Sequence, residues 1–231
     1  MSIASFARDQ WPEERFMGPS VTYPKGSLIF RQGDVVQALY LIVAGVTSLC
    51  ALHNGRDVLT AVRGPRSLLG VTAAIRGGRH PATSVTMTPC DLRILSVDDF
   101  HNLRKGNLAV GEWLQLILAE EAAEQLRRAV LLTAGDCRSR LEQLFGDLFR
   151  VSAEMRSDRS VRLTLDVSVT QVADLVAASR ERVCRVLSAM AGEAVLIRKQ
   201  GWFVAPPGSP LIQGISRHGL AGEHSAMARP Q

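Results

Sequence analysis

The pattern of apolar and polar positions divides the chain into a β-rich first part and a helical second part. Between residues 21 and about 95, short apolar runs are separated by glycine-containing breaks, as in a β-sandwich or barrel. Asn54-Gly55 is the strongest hairpin signal and favours a type I′ turn. Residues 1–20 are mixed and predict a short helix or arm. The apolar runs predict strands at residues 28–30, 39–43, 46–52 and 57–62.

A long helix is predicted over residues 108–132, where no proline interrupts a wide apolar stripe. Five residues of this stripe recur at the spacing of a two-stranded coiled coil. They are Leu116, Ala119, Ala123, Leu126 and Val130. Trp113, Leu114 and Ile117 widen the stripe, which suits a helix that packs on both the β-rich part and a partner copy. The alternative is a helix buried only within its own subunit.

Three segments after the long helix are polar or contain helix-breaking residues. Residues 133–136 should end the long helix, with Gly135 as a hinge and Asp136 as the N-cap of the next helix. The apolar stripe of that next helix consists of Leu141, Leu144, Phe145 and Leu148. Residues 152–162 are polar and predict a loop, whereas residues 207–231 predict a disordered tail.

Residues 169–190 predict two short helices joined by a tight turn, the arrangement of a helix-turn-helix. Ser168 and Gln171 have the spacing of a capping box at the start of the first helix. Ser179 is a natural N-cap for the second helix. The apolar positions at helical spacing are Val172, Leu175 and Val176 in the first helix and Val183, Val186, Leu187 and Met190 in the second.

The other side of the second helix carries side chains that suit the edges of DNA bases. It is formed by Arg180, Glu181, Cys184 and Arg185, which share a face because of their helical spacing. Arginine reads guanine with two hydrogen bonds, and glutamate accepts from the amino group of cytosine. Arg182 lies to the side, where it can meet phosphate. The alternative, for an isolated helix of this kind, is a solvated charged face.

Residues 195–204 predict a strand, a basic turn containing glycine and a second strand. A helix-turn-helix followed by a basic hairpin is a winged DNA-binding domain. The predicted DNA contacts are Thr170, Gln171, Ser179, Arg180, Glu181, Arg182, Cys184, Arg185 and Lys199.

Both parts of the chain resemble the cyclic AMP receptor/fumarate-nitrate regulator (CRP/FNR) superfamily. In the second helix the matching residues are Ser179-Arg180-Glu181, Val183, Arg185, Val186 and Leu187. In the β-rich part they are Phe30-Arg31-Gln32-Gly33-Asp34, Leu39-Tyr40-Leu41-Ile42, Gly45, Leu68-Leu69-Gly70, Ser84-Val85, Leu95 and Phe100. The resemblance runs from about residue 22 to residue 206, with its motifs in the family's order.

The resemblance implies an α+β fold in four parts. They are a β jelly-roll sensor domain at 1–107, a dimerisation helix at 108–133, a winged helix-turn-helix at 134–206 and the tail at 207–231. The chain would then be a homodimeric transcription regulator on a two-fold symmetric operator, with RNA polymerase as a further partner. Its recognition helices would enter successive major grooves about 34 Å apart.

Glu181 and Arg185 lie one helical turn apart and are expected to read the same half-site. Family members with the pattern Glu-x-x-Ser-Arg prefer TTGAT-type half-sites, whereas those with glycine before the last arginine prefer TGTGA-type half-sites. Here Cys184 precedes Arg185, so the chain departs from both patterns. The serine-like size of cysteine favours TTGA-like sites, and the shared core is TGA.

Cyclic AMP is not the expected effector. Receptors of the resembled family hold its ribose with a glycine-glutamate pair and its phosphate with an arginine-serine pair. Gly70 matches the glycine, but Val71 replaces the glutamate, and Pro81 and Ala82 take the places of arginine and serine. Valine accepts no hydrogen bond, and proline brings no charge to the phosphate. Nearby Arg76, Arg79 and His80 are expected to lie in a solvated loop, or else to hold a different anion.

Composition and charge agree with this interpretation without singling it out. The 231 residues are 46% hydrophobic and suffice for one large domain or two modest ones. A net charge of +5 and a pI near 9.4 are compatible with nucleic acid. The four cysteines lack metal-type pair spacing, so neither a zinc ribbon, a disulfide framework nor an iron–sulfur cluster is expected. The sequence has no membrane-spanning run or signal-peptide core, and we expect a cytoplasmic protein.

Two other classes of protein stay open at this point. One is a ligand-binding or scaffolding protein that does not bind DNA. The other is a cupin-like metalloenzyme, which needs clustered histidines on neighbouring strands. His53, His80 and His101 stand apart and are expected on the surface or in loops. We therefore expect no catalytic residue, no metal and no cofactor. Haem stays open as an alternative, although no histidine has a context that supports it.

Cys184 is a candidate for oxidation because it lies on the predicted reading face. Oxidation to a sulfenic or sulfinic acid would add polarity or negative charge beside bases and phosphates. The alternative is that Cys184 only packs against a thymine methyl group. Cys137, near the hinge, is a weaker candidate, and Cys50 and Cys90 are expected to be structural.

Overall fold

The computed structural model describes residues 18–213, and its first part is a jelly roll of two four-stranded antiparallel sheets. The strands are β1 (Ser20–Tyr23), β2 (Leu28–Phe30), β3 (Ala38–Ala44), β4 (Thr47–His53), β5 (Arg56–Arg63), β6 (Leu68–Leu69), β7 (Thr83–Thr86) and β8 (Cys90–Ser96). One sheet has the order β1-β8-β3-β6 and the other β2-β7-β4-β5. The four predicted strands are all present, which confirms the predicted class of this part.

The hairpin between β4 and β5 has the predicted turn. Asn54 and Gly55 have φ angles of 51° and 73°, and two consecutive positive φ angles define a type I′ turn. Between the two sheets lies an apolar core that includes the buried side chains of Phe30, Ile42 and Leu92. The alternation of inward apolar and outward polar residues thus builds the jelly roll.

Three helices follow or flank the jelly roll: α1 (Val71–Arg76), α2 (Val97–Gly106) and α3 (Leu108–Ala134). The first turns of α3 bury Val110, Trp113 and Leu114 in a second core, shared with Phe100 of α2 and Leu39 of β3. The rest of α3 continues beyond this core. None of the helices between residues 18 and 213 is long and apolar enough to cross a membrane.

The long helix ends at Ala134, one residue beyond the domain boundary expected at 133, and Gly135 is its C-cap. A Cβ atom on Gly135 would lie 2.6 Å from the carbonyl oxygen of Leu131, so the chain requires glycine there. Asp136 caps the next helix as predicted, because its Oδ1 accepts from the backbone N–H of Ser139 at 2.7 Å. Thr133 and Ala134 belong to the helix and do not break it.

The last part of the chain is a winged helix-turn-helix. Its elements are α4 (Cys137–Val151), β9 (Ala153–Met155), β10 (Val161–Leu163), α5 (Val169–Leu175), α6 (Arg180–Gly192), β11 (Ile197–Lys199) and β12 (Trp202–Ala205). The strands form one sheet of order β11-β12-β10-β9. The predicted basic hairpin is thus present, although its first strand begins at Ile197 and not at Val195.

The loop predicted at 152–162 is wrong, because this stretch contributes β9 and most of β10. β9 is an edge strand, which needs few apolar residues and therefore gave no strand signal. Arg162 forms an ion pair with Glu154 at 2.8 Å across the two strands. Its guanidinium also lies 5.0 Å from the ring centroid of Trp202.

The disordered tail predicted from residue 207 is wrong for residues 207–213. Pro210–Ile212 form a 3₁₀ helix, and Leu211 is buried in the core of the winged domain. The Ser209 hydroxyl donates to the Val195 carbonyl at 2.7 Å. The remainder of the predicted tail, and residues 1–17 of the predicted arm, lie outside the described residues.

Candidate DNA-binding surface

Two capped helices present the predicted recognition surface. At the start of α5, the Gln171 N–H donates to Ser168 Oγ at 3.2 Å and the Ser168 N–H donates to Gln171 Oε1 at 2.9 Å. At the start of α6, the Arg182 N–H donates to Ser179 Oγ at 3.3 Å. Both predicted caps are confirmed. Because the cap uses the side-chain oxygen of Gln171, its amide nitrogen is the group that can donate to a phosphate.

The turn between α5 and α6 is held from α4. Ala177 adopts the left-handed conformation with φ of 47°, which costs an alanine about 1–2 kcal/mol. The guanidinium of Arg140 donates to the carbonyls of Val176 and Ala177 at 3.2 and 3.4 Å. It also donates to the Gly135 carbonyl at 3.0 Å. One arginine therefore ties the helix-turn-helix turn to the end of the long helix.

The apolar sides of α5 and α6 lie in one core. Val172, Val183 and Met190 have no exposed surface, and they belong to the same cluster as Phe145 of α4. The Phe145 ring packs 4.7 Å from that of Phe203 on β12. The two helices are thereby joined as one unit, as the apolar spacing predicted.

The opposite side of α6 is exposed to solvent. Its exposed residues are Arg180, Glu181, Arg182, Cys184 and Arg185. Hydrogen bonding to its own backbone amide, and to the Ser179 hydroxyl, lowers the pKa of the Glu181 carboxyl. The side chain is therefore ionised at neutral pH and can only accept hydrogen bonds, as contact with a cytosine amino group requires.

The far end of α6 is anchored to α4 by an ion pair between Arg138 and Glu193. Arg138 of α4 donates to Glu193, just after α6, at 2.8 and 2.6 Å, and to Glu142 at 2.8 Å. The hydrogen bonds from Arg138 lower the pKa of the Glu193 carboxyl. Two arginines of α4 thus hold the turn before α6, through Arg140, and the residue just after α6, through Arg138.

Two further predicted contact residues, Thr170 and Lys199, are exposed at the start of α5 and on the wing. The wing turn is formed by Gln200 and Gly201, with φ angles of 52° and 85°. Arg198, which precedes Lys199 on β11, is also exposed, and its guanidinium lies 5.0 Å from the centroid of the Phe203 ring. Because side chains alternate along a strand, Arg198 and Lys199 lie on opposite faces of β11.

The predicted dimerisation stripe of α3 is uncovered within the single chain. Its members are all exposed: Leu116, Ala119, Ala123, Leu126 and Val130. Leu126 and Val130 are exposed to 66% and 58%, which is unusual for large apolar side chains on one helical stripe. The alternative of a stripe buried within its own subunit is therefore wrong for this half of the helix.

A histidine lies beside Gly70, at the predicted effector position. His80 lies in the loop between α1 and β7, as expected, but it is buried and stacks on Phe30 with ring centroids 3.8 Å apart, so the expectation that it is solvated is wrong. Its Cε1 lies 3.4 Å from where a Cβ on Gly70 would sit. Burial lowers the pKa of His80, so the ring is neutral at pH 7. Val71, beside it, is buried, whereas Pro81 is exposed.

The four cysteines differ in their exposure. Cys184 is exposed, Cys50 is half-buried, and Cys90 and Cys137 are buried. Burial makes Cys137 a poor target for oxidants. Within residues 18–213, no group of three or more His, Cys, Asp or Glu side chains is arranged to hold a metal ion.

Sequence reasoning also missed a polar contact between the jelly roll and the helix-turn-helix. Asp174 of α5 accepts from Arg56 of β5 at 2.7 Å, although the two residues are 118 positions apart. An acidic residue among the buried positions of α5 was the only local signal. Nothing in the sequence pattern identifies its partner.

A jelly roll, a long helix with an exposed apolar stripe and a winged helix-turn-helix together define a class of two-domain transcription regulators. Residues 20–107 match the cyclic nucleotide-binding domain family. The chain is 30% identical over 175 residues to the cyclic AMP receptor protein of Thermus thermophilus, covering 75% of this chain and 77% of that protein. The chain therefore belongs to the CRP/FNR family of transcription regulators.

Two other similarities extend over most of the chain. It is 26% identical over 209 residues to the CRP-like cAMP-activated global transcriptional regulator of Mycobacterium tuberculosis, covering 85% of each protein. The solved structure of the c-di-GMP responsive global regulator CLP of Xanthomonas campestris superposes with a TM-score of 0.67 at 25% identity. That superposition covers 84% of this chain and 97% of the solved one.

Proposed function

We propose that the protein is a homodimeric regulator that binds a palindromic operator and reads a TGA-containing half-site through Glu181 and Arg185. The observation that carries this proposal is the exposed face of α6, which holds both side chains on a helix that Ser179 caps at its start and that Glu193 anchors at its end. Thr170, Gln171 and Arg182 would contact phosphates and set the register. The preferred half-site is TTGA-like.

The division of labour along the chain follows from the same proposal. Residues up to 107 sense a signal, α3 joins two copies, and residues 134–206 bind DNA in the cytoplasm. RNA polymerase is the partner that would convert binding into a change in transcription. The net charge of +5 supports affinity for phosphates, because each neutralised phosphate releases counterions.

The experiment that tests this proposal is genome-wide mapping of the DNA bound by the protein. We expect enriched fragments that share an inverted repeat with a TGA core in each half. A gel shift on one such fragment should show binding that weakens steeply with added salt. The absence of enrichment, together with no shift of random genomic fragments at low salt, would favour a ligand-binding or scaffolding protein instead.

Cyclic AMP is expected not to bind. Val71 offers no acceptor to the ribose, the neutral His80 ring lies against Gly70, and Pro81 and Ala82 bring no charge to the phosphate. Isothermal titration with cyclic AMP should give no saturable heat, with the cyclic AMP receptor protein of Thermus thermophilus as the positive control. A micromolar dissociation constant would show that the effector argument is wrong.

Oxidation of Cys184 is expected to weaken operator binding. Hydrogen peroxide converts a thiol to a sulfenic acid and water, and a second equivalent gives a sulfinic acid, which is ionised. A negative charge about 4 Å from a phosphate costs about 1–4 kcal/mol at a protein surface. Operator affinity should fall after peroxide treatment of the native protein but not of a Cys184→Ser variant. Equal losses in both proteins, or no loss in either, would leave Cys184 as a contact residue only.

A further inference from the structure

Three elements of different parts of the chain meet at one point, which we call the junction. It consists of Arg56, Leu59 and Thr60 on β5, Arg128 on α3, and Asp174 and Leu175 on α5. At its centre is the Asp174 carboxylate, whose side chain is only 9% exposed. Its Oδ1 accepts from Arg56 at 2.7 Å, and its Oδ2 accepts from the backbone N–H of Leu59 at 3.3 Å. Strand β5 of the jelly roll therefore binds both carboxylate oxygens of Asp174, which belongs to the helix-turn-helix.

Arg128 completes the junction from the long helix. Its guanidinium donates to the carbonyl of Thr60 on β5 and to that of Leu175 on α5, the latter at 3.2 Å. Burial lowers the pKa of Arg128, which reflects the free-energy cost of placing a cation there. A cation at the C-terminal carbonyls of α5 is favourable for the helix dipole. One side chain thus links the sensor, the dimerisation helix and the helix-turn-helix.

Apolar contacts also join the jelly roll to the winged domain. Val46, Val62 and Met87 of the jelly roll pack into the core of the winged domain. Gly64, just after β5, approaches Val151 so closely that a Cβ there would lie 2.6 Å from Val151 Cγ1. The polar junction and this packing hold the two domains in one orientation.

We infer that Asp174 is a positioning residue, which sets the orientation of the recognition helix relative to the sensor and thereby the distance between the two recognition helices of a dimer. The inference rests on the proposed function. Asp174 does not touch DNA in this scheme. Because α5 and α6 pack in one buried core, the contacts that fix the position of α5 also fix the orientation of the exposed face of α6.

A fixed distance between recognition helices makes binding depend on half-site spacing. One added base pair moves a half-site by about 3.4 Å and rotates it by about 34°, since a turn of DNA has about 10.5 base pairs. The native protein should therefore prefer one spacing sharply. A protein whose junction is broken should bind the best spacing less tightly and discriminate less between spacings.

The test measures affinity for the mapped operator and for versions with one base pair added to or removed from its centre. Arg56→Gln is the first variant, because Arg56 is 58% exposed and its loss leaves Leu59 to hold Asp174. Asp174→Asn is the second, and thermal unfolding checks that both variants fold. We expect each variant to reduce the preference for the native spacing about fivefold or more, in the range typical of coupled sites. Arg56→Lys, which keeps the charge, should retain most of the preference.

The chain offers a matched control in a second ion pair between the same two domains. Lys25 and Asp166 lie 3.8 Å apart and are 59% and 78% exposed, so Lys25→Gln and Asp166→Asn should leave the spacing profile unchanged. A double-mutant cycle on Arg56 and Asp174 should show coupling in spacing preference, whereas the control cycle should show none.

The outcomes separate this inference from the proposed function. If the native protein binds no operator, the proposed function fails. If it binds with a sharp spacing optimum that a folded Arg56→Gln variant shares, the positioning role of the junction is refuted. A variant that binds the native spacing more tightly, with equal sharpness, would also refute it.

Discussion

Replacing Leu126 with glutamate is expected to turn dimers into monomers and to weaken operator binding about a hundredfold or more, because bivalent contact is lost. Leu126 is 66% exposed on α3, in line with Val130, and a coiled-coil partner would cover both. In a symmetric dimer the substitution places two carboxylates in a dry seam, where neither finds a counter-charge.

The measurement is the molar mass in solution, by light scattering after size exclusion, together with affinity for the full operator. Gln125→Glu is the matched control, because the neighbouring Gln125 is exposed and lies off the coiled-coil stripe. That variant should remain dimeric and bind normally. A Leu126→Glu protein that stays dimeric would show that α3 does not pair through this stripe.

Replacing Arg185 with alanine is expected to cost about 1–3 kcal/mol of binding free energy and to relax the preference at one guanine. Arg185 is exposed on the same face of α6 as Glu181, so a bidentate contact with a base edge is sterically open. The loss should be concentrated at a single position, because the other side chains of the reading face remain.

The measurement is affinity for the operator and for every single-base variant of one half-site, at two salt concentrations. Arg182→Ala is the comparison, since Arg182 is expected to contact phosphate. That variant should lose affinity evenly across all sequences and lower the salt slope by about 1. If Arg185→Ala keeps the native preference at every base, Arg185 is not a reading residue.

Local signals predicted the parts of the fold whose structure is decided locally. The Asn54-Gly55 turn, the Ser168–Gln171 capping box and the Asp136 cap all appear as expected, because each depends on backbone groups a few residues away. The exposed face of α6 was predictable for the same reason. Its residues share a side through helical spacing alone.

The failures arise where distant residues decide the outcome. β9 was missed because an edge strand depends on pairing with β10 more than on its own apolar residues. The burial of His80 depends on its stack with Phe30, 50 positions away. The 3₁₀ helix that contains Leu211 depends on its packing against α4. The junction around Asp174 joins segments that no local pattern relates.

The C-terminal end of α5 is bonded by side chains from other parts of the chain. This limits which segment can be exchanged between relatives as an independent module. α5 has seven residues, fewer than the roughly 12–15 that an isolated helix needs to be stable in water. Its terminal carbonyls are satisfied by Arg128 from the long helix and Arg140 from α4. A graft cut at Gly135 would therefore leave Arg128 behind, along with the strand that holds Asp174. The transferable unit for recombination or protein engineering includes residues 56–60 and 128 together with the winged domain.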